Sequence, residues 1–174
     1  MTDLVGRAKG GDMDAFEALV TMHHASVYRL ARAYVGDAGA PDLAQDVFVA
    51  AWRALPGLRD PGSFGPWLHR IAANRCRSAV RGPGRVREIP MDDMTADRMT
   101  DPADGFGAVE ARAVVGPAFR RLGDDQRAVI ALHYAAGLSI RECGEVLGVP
   151  EGTAKSRLNA ALEALRRDVG RVRP

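Results

Sequence analysis

Three things are scarce in this sequence, and each scarcity excludes a class of protein. No apolar run approaches the roughly 20 residues that a membrane-spanning helix needs. The opening MTDLVGRAKGGDMDAF also lacks the apolar stretch of an export signal, so the expected compartment is the cytoplasm. Cysteine is limited to Cys76 and Cys143, far apart and without C-x-x-C spacing. Each falls in an apolar helical pattern, which favours two reduced, buried thiols over a disulfide or a zinc site. Catalytic apparatus is missing as well: no glycine-rich phosphate loop, no metal-ligand spacing and no nucleophile–base pair stands out. The expectation is a protein that is not an enzyme and needs no cofactor.

What is there is a normal folding composition, 47% hydrophobic and 26% charged over 174 residues, enough for one domain or two small ones. The net charge of +2 says little, but its distribution says more. Residues 1–80 hold 9 Lys/Arg against 8 Asp/Glu, 81–108 hold 4 against 6, and 109–174 hold 11 against 8. The last third is the basic one, as a nucleic-acid-binding unit requires.

That third contains the most informative stretch, LSIRECGEVLGVPEGTAKSRLNAALEAL at 138–165. Ser139 followed three residues later by Glu142 forms a capping box. Ile140, Cys143, Val146 and Leu147 recur at helical spacing, and Gly148 offers the left-handed conformation that ends a helix. Pro150 suits the first turn of a second helix, placed over 153–165. So short a connection sets two helices at a steep angle, the helix-turn-helix geometry that places the second in a DNA major groove. Gly144 would face the turn, where only a small residue lets the helices approach. Thr153, Lys155, Ser156, Arg157 and Asn159 then supply donors for phosphates and base edges. Lys155 or Arg157 alone would equally pass for a solvated helix charge, so the motif as a whole carries the reading.

Upstream, Asp12 is the expected cap of a helix over 14–35, with Phe16, Leu19, Val20, Val27, Leu30, Ala31 and Tyr34 as its apolar stripe. His23 and His24 are adjacent, hence point apart, and read as partly exposed structural residues. A turn at 36–40 leads to a helix over 41–55 opened by Pro41. It buries Leu43, Val47, Phe48, Ala51, Trp52 and Leu55, and places Asp42, Gln45, Asp46 and Val49 opposite. The acids either complement the helix dipole or mark a partner-binding face.

Next comes an exposed loop with Arg59, Ser63 and Phe64, then a helix opened by Pro66. Trp67, Leu68, Ile71, Ala72, Cys76 and Val80 form its buried stripe. His69, Arg70, Asn74, Arg75, Arg77, Ser78 and Arg81 form a polar, basic face. Aromatic and basic residues interleaved in this way can grip single-stranded nucleic acid, although Phe64 and Trp67 are more often core residues. From residue 82 to 107 periodicity gives way to GPGRVREIPMDDMTADRMTDPADG, with the composition of a flexible linker, in which Asp92 and Asp93 read as solvated. Helices over 109–122 and 125–135 follow, the second with Val129, Ile130 and Leu132 inward. The fold class is all-α, with two small helical domains and a helix-turn-helix in the second.

DAFEALV, PDLAQDVFVAAW, PWLHRIAANRCR and LSIRECGEVLGVPEGTAKSRL, taken in that order, resemble the successive segments of bacterial RNA polymerase sigma factors of the sigma-70 superfamily, in the small extracytoplasmic-function (ECF) group. The resemblance covers nearly the whole chain. It implies a region 2-like domain over 1–81, a linker over 82–107 and a region 4-like domain over 108–174. It further implies that Asp42, Gln45, Asp46 and Phe48 contact the clamp helices of the largest polymerase subunit. The loop from Arg59 through Ser63 and Phe64, with Trp67, Asn74 and Ser78, would take bases of a melted −10 element, and Arg75 and Arg77 would hold phosphate. Arg141, Thr153, Lys155, Ser156, Arg157 and Asn159 would read a duplex −35 element. Regulation by an anti-sigma protein is implied too.

The sequence departs from the family pattern at three places. Ser78 stands where many relatives have an acid, Asn159-Ala160-Ala161-Leu162 replaces a stretch often rich in arginine and histidine, and Cys143-Gly144 replaces an aliphatic residue and alanine. Fewer cations on the recognition helix imply modest intrinsic DNA affinity, with polymerase supplying much of the hold. The competing class is an autonomous dimeric helix-turn-helix regulator. It requires a broad self-complementary apolar face in the N-terminal domain and a palindromic operator.

Overall fold

Asp12 starts the longest element of the fold. Its Oδ1 accepts the Ala15 N–H at 3.0 Å, satisfying one orphan amide of the first turn, and its Oδ2 is held by Arg7. In the computed structural model, which describes residues 1–81, 117–119 and 121–170, a short α1 (Thr2–Lys9) precedes this cap and α2 (Met13–Ala54) follows it. α1 buries only Val5 and Ala8, too few apolar positions to register as a stripe in the sequence.

The expected turn at 36–40 contracts to one residue. Gly36 takes φ 73° and ψ 178°, and helix resumes at once, so α2 is two helical segments meeting at a kink. Only glycine reaches that backbone region without strain, and one such residue is enough to redirect the chain. Pro41 accordingly lies inside the second segment rather than at its start. Two 3-10 turns follow, Leu55–Gly57 and Pro61–Ser63, the latter fixed by Asp60 Oδ1 accepting the Gly62 N–H at 2.9 Å. α3 (Phe64–Arg81) then begins two residues before Pro66, whose lack of an N–H is harmless in the first turn. Leu19, Val27, Leu30, Val47, Leu55, Phe64, Leu68, Ala72 and Cys76 fill the space between α2 and α3.

In the second unit, α4 (Asp124–Ile130) widens into a π-helical turn, Ala131–Ala135, where the Ala136 N–H reaches back to the Ala131 carbonyl at 2.9 Å. α5 (Ile140–Leu147) and α6 (Glu151–Gly170) complete the helix-turn-helix. The capping box forms as the sequence predicts: Ser139 Oγ accepts the Glu142 N–H at 3.2 Å, and Glu142 Oε2 accepts the Ser139 N–H at 2.7 Å. Gly148 ends α5 at φ 68°. Pro150 sits one position earlier than expected: its carbonyl accepts from Thr153 and Ala154, so it precedes α6, which starts at Glu151 and runs to 170. Gly144 meets its expectation directly, because a Cβ there would lie 2.8 Å from the Val149 carbonyl oxygen, closer than real contacts allow.

Among the described residues every regular element is helical, in keeping with the all-α expectation, and no helix is long and apolar enough to cross a membrane. The expected linker at 82–107, with Asp92 and Asp93, and most of the expected helix at 109–122 lie outside the described residues. The two units pack together, α3 against α5 and α2 against the π-helical turn. Across that junction Arg29 Nε donates to the Ala135 carbonyl at 2.8 Å, capturing an orphan carbonyl at the end of the turn.

Candidate nucleic-acid interface

Three surfaces carry the residues singled out by sequence. On the second segment of α2, Asp42, Gln45 and Asp46 are exposed along one side, and Val49 continues the row one turn on. Spacings of three and four residues stack them on one helical face. Phe48 does not join them. It is 7% exposed, and its ring stacks on His24 at 6.3 Å, which in turn stacks on Tyr28 at 5.9 Å. As a candidate polymerase contact Phe48 is therefore corrected to a core residue: its position falls on the inward stripe with Val47 and Ala51.

The second surface surrounds the Pro61–Ser63 turn. Arg59, Ser63, Trp67 and Arg70 line one open cleft of about 640 Å³ with Gly57, Leu58, Asp60, Gly62, Pro66 and, from α5, Glu145. Ser63 Oγ donates to the Asp60 carbonyl at 2.8 Å, which rigidifies the rim. Phe64 is a second correction. It is 1% exposed, packed against His23 at 5.4 Å and Trp67 at 5.8 Å between centroids, so it anchors the loop and cannot offer its face to a base. Trp67 is half-buried and remains at the cleft, while Asn74, Arg75 and Ser78 are exposed further along α3. Arg77 is half-buried, and its Nε is buried without a hydrogen-bond partner. Besides Glu145, the charged cleft residue that the sequence reading left out of the site is Arg70. The available signal was its spacing of three from Trp67, which places both on one face.

His69, expected on the polar face, is instead 6% exposed. Its Nδ1–H donates to the Gly65 carbonyl at 2.9 Å, and Nε2 lies 3.1 Å from Ser26 Oγ. The Ser26 hydroxyl donates to the His23 carbonyl at 2.9 Å. Burial pushes His69 below the ordinary histidine range, against the raising influence of the Gly65 carbonyl and Glu142. His23, whose Nε2 is buried without a partner, is lowered likewise by burial and then by His69. His24 is exposed.

The third surface is the helix-turn-helix. Lys155, Ser156 and Asn159 are exposed on α6, Thr153 is half-buried near its start, and Arg141 is exposed on α5. Arg157 is half-buried and pairs with Asp125 of α4 at 3.1 Å, so its charge is already engaged within the unit. Arg141 pairs with Glu145 at 3.2 Å, one turn along α5. In the Asn159–Leu162 stretch Asn159 and Ala160 face outward, whereas Ala161 is buried, which is why only part of the departure from the basic pattern affects the surface.

Both cysteines are buried and free. Burial raises each thiol to about 12, too high for a reactive thiolate at neutral pH. Among the described residues no group of three or more His, Cys, Asp or Glu is placed to hold a metal ion.

Comparison with known proteins bears on all three surfaces together. The Sigma-70 region 2 family matches residues 19–86 and the Sigma-70 region 4 family matches residues 118–165. The ECF RNA polymerase sigma-E factor of Escherichia coli (strain K12) is 32% identical, with 93% of this chain and 90% of that protein covered. Its counterpart from Haemophilus influenzae is 30% identical over 93% of this chain and 91% of that protein. Among solved structures, CnrH in complex with the cytosolic domain of CnrY is similar at a TM-score of 0.74 and 27% identity, covering 98% of this chain and 97% of that one. The sigma factor RpoE in complex with the anti-sigma factor NepR from Bartonella quintana shares the fold at a TM-score of 0.63 and 23% identity, covering 91% and 98%. With two family regions matched in order over most of its length and curated relatives aligned almost end to end, this chain belongs to the sigma-70 family of RNA polymerase sigma factors, in the ECF group.

Proposed function

We propose that this sigma factor divides promoter selection among the three surfaces described above. The exposed row Asp42, Gln45, Asp46 on α2 docks on the polymerase clamp helices. The cleft with Arg59, Ser63 and Trp67, continued by Asn74, Arg75, Arg77 and Ser78, receives the melted −10 strand. The helix-turn-helix, through Arg141, Thr153, Lys155, Ser156, Arg157 and Asn159, reads the −35 duplex. The observation that carries the reading is a cleft in which Arg59, Arg70 and Trp67 stand together, in a chain that also holds a helix-turn-helix. Bases stack on an aromatic face with about 1–3 kcal/mol each, and extruding one from the duplex takes a few kcal/mol, so a cleft of this kind can offset melting. The chain supplies no catalysis of its own; it acts in the cytoplasm, where polymerase is, and the domains run 1–81 and 108–174 about a connecting segment.

Permanganate footprinting of holoenzyme on a cognate promoter tests this reading. Thymines of the −10 element should react with the natural chain and lose reactivity with Arg59→Ala, Trp67→Ala. Undiminished reactivity would remove the cleft from the account. Because CnrH was solved with CnrY, we extend the proposal to an anti-sigma protein that holds this chain inactive; purification of the tagged chain from unstressed cells should bring down a stoichiometric inhibitor.

The autonomous-regulator reading lacks its required surface. Among the described residues the exposed large apolar side chains are Met1, Met13, Met22 and Val49. Met13 and Met22 lie nine residues apart on α2, on opposite sides of the helix, and do not build one broad dimer face.

A further inference from the structure

α1 leaves no apolar stripe in the sequence, yet it packs against both 3-10 turns of the loop that carries Arg59 and Ser63. Its last residue, Lys9, reaches across 49 positions of sequence and donates from Nζ to the Leu58 carbonyl at 2.6 Å. That carbonyl stands at the exit of the first 3-10 turn, where the chain becomes extended, and it accepts no backbone N–H among the described residues. The ammonium therefore satisfies it, in surroundings where an unpaired carbonyl would be costly: Leu58 is buried and Lys9 half-buried. α1 is itself held in place. It buries Val5 and Ala8, and Arg7 pairs at 2.7 Å with Asp12, the cap of α2.

The choice of residue is informative. Of the 24 lysines and arginines, two are lysine, Lys9 and Lys155. Lysine offers an unbranched stem that lies along apolar surface and a compact ammonium whose donors rotate to meet one carbonyl, whereas the planar fork of arginine suits carboxylate and phosphate. Lys9 thus fits a lone carbonyl better than a nucleic-acid backbone.

We propose that Lys9 is a positioning residue for promoter opening: from α1 it holds the Leu58–Arg59 peptide so that Arg59 and Ser63 form an ordered rim before a base leaves the −10 duplex. The proposal rests on the −10 reading of the cleft. Lys9 touches no DNA in it and acts through the Leu58 carbonyl. That oxygen and the Arg59 N–H belong to one rigid peptide plane, so fixing the oxygen fixes the direction from which Arg59 leaves the chain. The loop is then pinned at both ends, by Lys9 at its entry and by the buried Phe64 ring at its exit. Between them Asp60 closes the second turn, its side chain accepting from the Gly62 N–H at 2.9 Å and its carbonyl from Ser63 Oγ at 2.8 Å. A rim that is already ordered loses little freedom when the base arrives, so its contacts count almost in full against the unstacking that extrusion requires. Lys9 therefore acts on the opening step, and on neither polymerase docking nor duplex recognition by α6.

The test uses holoenzyme carrying the full chain, on a promoter fragment with 2-aminopurine in the −10 element, whose fluorescence rises as the base unstacks. Lys9→Met keeps an apolar stem and loses the ammonium, whereas Lys9→Arg keeps a donor. Lys9→Met should slow opening roughly tenfold, with closed-complex affinity and co-elution with core polymerase unchanged. Lys9→Arg should recover the rate to within about threefold. Because Lys9 acts through the position of Arg59, adding Lys9→Met to Arg59→Ala should slow opening little further than Arg59→Ala alone. In the free chain labelled with heavy nitrogen at lysine, Lys9 and Lys155 are the lysine ammoniums that report, and the Lys9 protons should exchange with water more slowly than those of exposed Lys155. Natural-rate opening in Lys9→Met, an equal loss in Lys9→Arg, weakened polymerase binding, slowing that adds fully to that of Arg59→Ala, or equal exchange at the two ammoniums each overturn the proposal. The −10 reading is judged separately, by permanganate reactivity with Arg59→Ala, Trp67→Ala. Reactivity lost there but natural-rate opening in Lys9→Met removes the role of Lys9 alone; undiminished reactivity there removes the cleft and that role with it.

Discussion

The α carbon of Gly144 faces the Val149 carbonyl so closely that an added Cβ would stand 2.8 Å from the oxygen, with Glu151 backbone atoms at 3.5 Å behind it. The turn of the helix-turn-helix closes directly onto α5. Alanine is the better helix former by about 1 kcal/mol, yet the obstruction here is backbone, which cannot swing aside. Gly144→Ala should therefore destabilise the chain by about 1–3 kcal/mol despite that gain. Thermal unfolding followed by circular dichroism checks it; an unchanged or raised midpoint would mean that the turn relaxes freely.

The acidic row on α2 predicts a separation of binding from folding. Asp42 and Asp46 are exposed, so Asp42→Arg with Asp46→Arg should leave helical content intact while weakening association with core polymerase at least tenfold, as reversed charges do at a complementary interface. Co-elution with core polymerase measures it. Phe48→Ala should instead lower stability, by about 3–5 kcal/mol, because its ring is buried.

On the recognition helix the two cations should behave differently. Lys155 is exposed, whereas Arg157 is held by Asp125 at 3.1 Å. Lys155→Ala should weaken duplex binding by holoenzyme and reduce the salt slope by about 1, one phosphate contact's worth. Arg157→Ala should weaken it less, since part of the Arg157–DNA attraction is already spent against Asp125. Affinities of the two variants across a salt series distinguish them.

Burial holds His69 and His23 below the ordinary histidine range. The folded state then binds protons less readily than the unfolded one, so their stabilising contribution is fully present above the unfolded value of about 6.5 and is lost as pH falls through the folded values. Melting temperature should be flat between pH 7 and 8 and decline below about 6.5. His69→Gln should flatten the decline. An equally steep decline in that variant would assign the effect to other groups.

With both thiols raised to about 12, Cys76 and Cys143 should be inert toward a thiol reagent in the native chain and react quickly in denaturant. Transcription by the Cys76→Ser, Cys143→Ser variant under oxidant should match the natural chain. A difference would restore a redox role.

Much of this architecture was legible because it is local. The Ser139–Glu142 box, the Gly148 stop and the small residue at Gly144 are set by neighbours a few positions away, and each appears as read. Asp12 likewise caps as its position dictates. What sequence could not supply depends on contacts between distant segments. Phe64 lies in a loop that reads as exposed, so its spacing leaves open whether it faces solvent or core, and tertiary packing against His23 buries it. His69 shares a helical face with polar residues, yet Ser26, 43 positions away, satisfies it. Gly36 absorbs a whole turn in one residue, a geometry that five small residues in a row conceal. The junction of the two units, with Arg29 on Ala135 and Glu145 in the cleft, leaves no trace in periodicity at all.

The most direct measurement is run-off transcription with purified core polymerase, with and without this chain, on promoter fragments from its own genome. Transcripts that appear only when the chain is present, starting downstream of paired −35 and −10 elements, are the predicted result. A chain that binds core polymerase yet yields no start site, while shifting palindromic duplex DNA on its own, would contradict it.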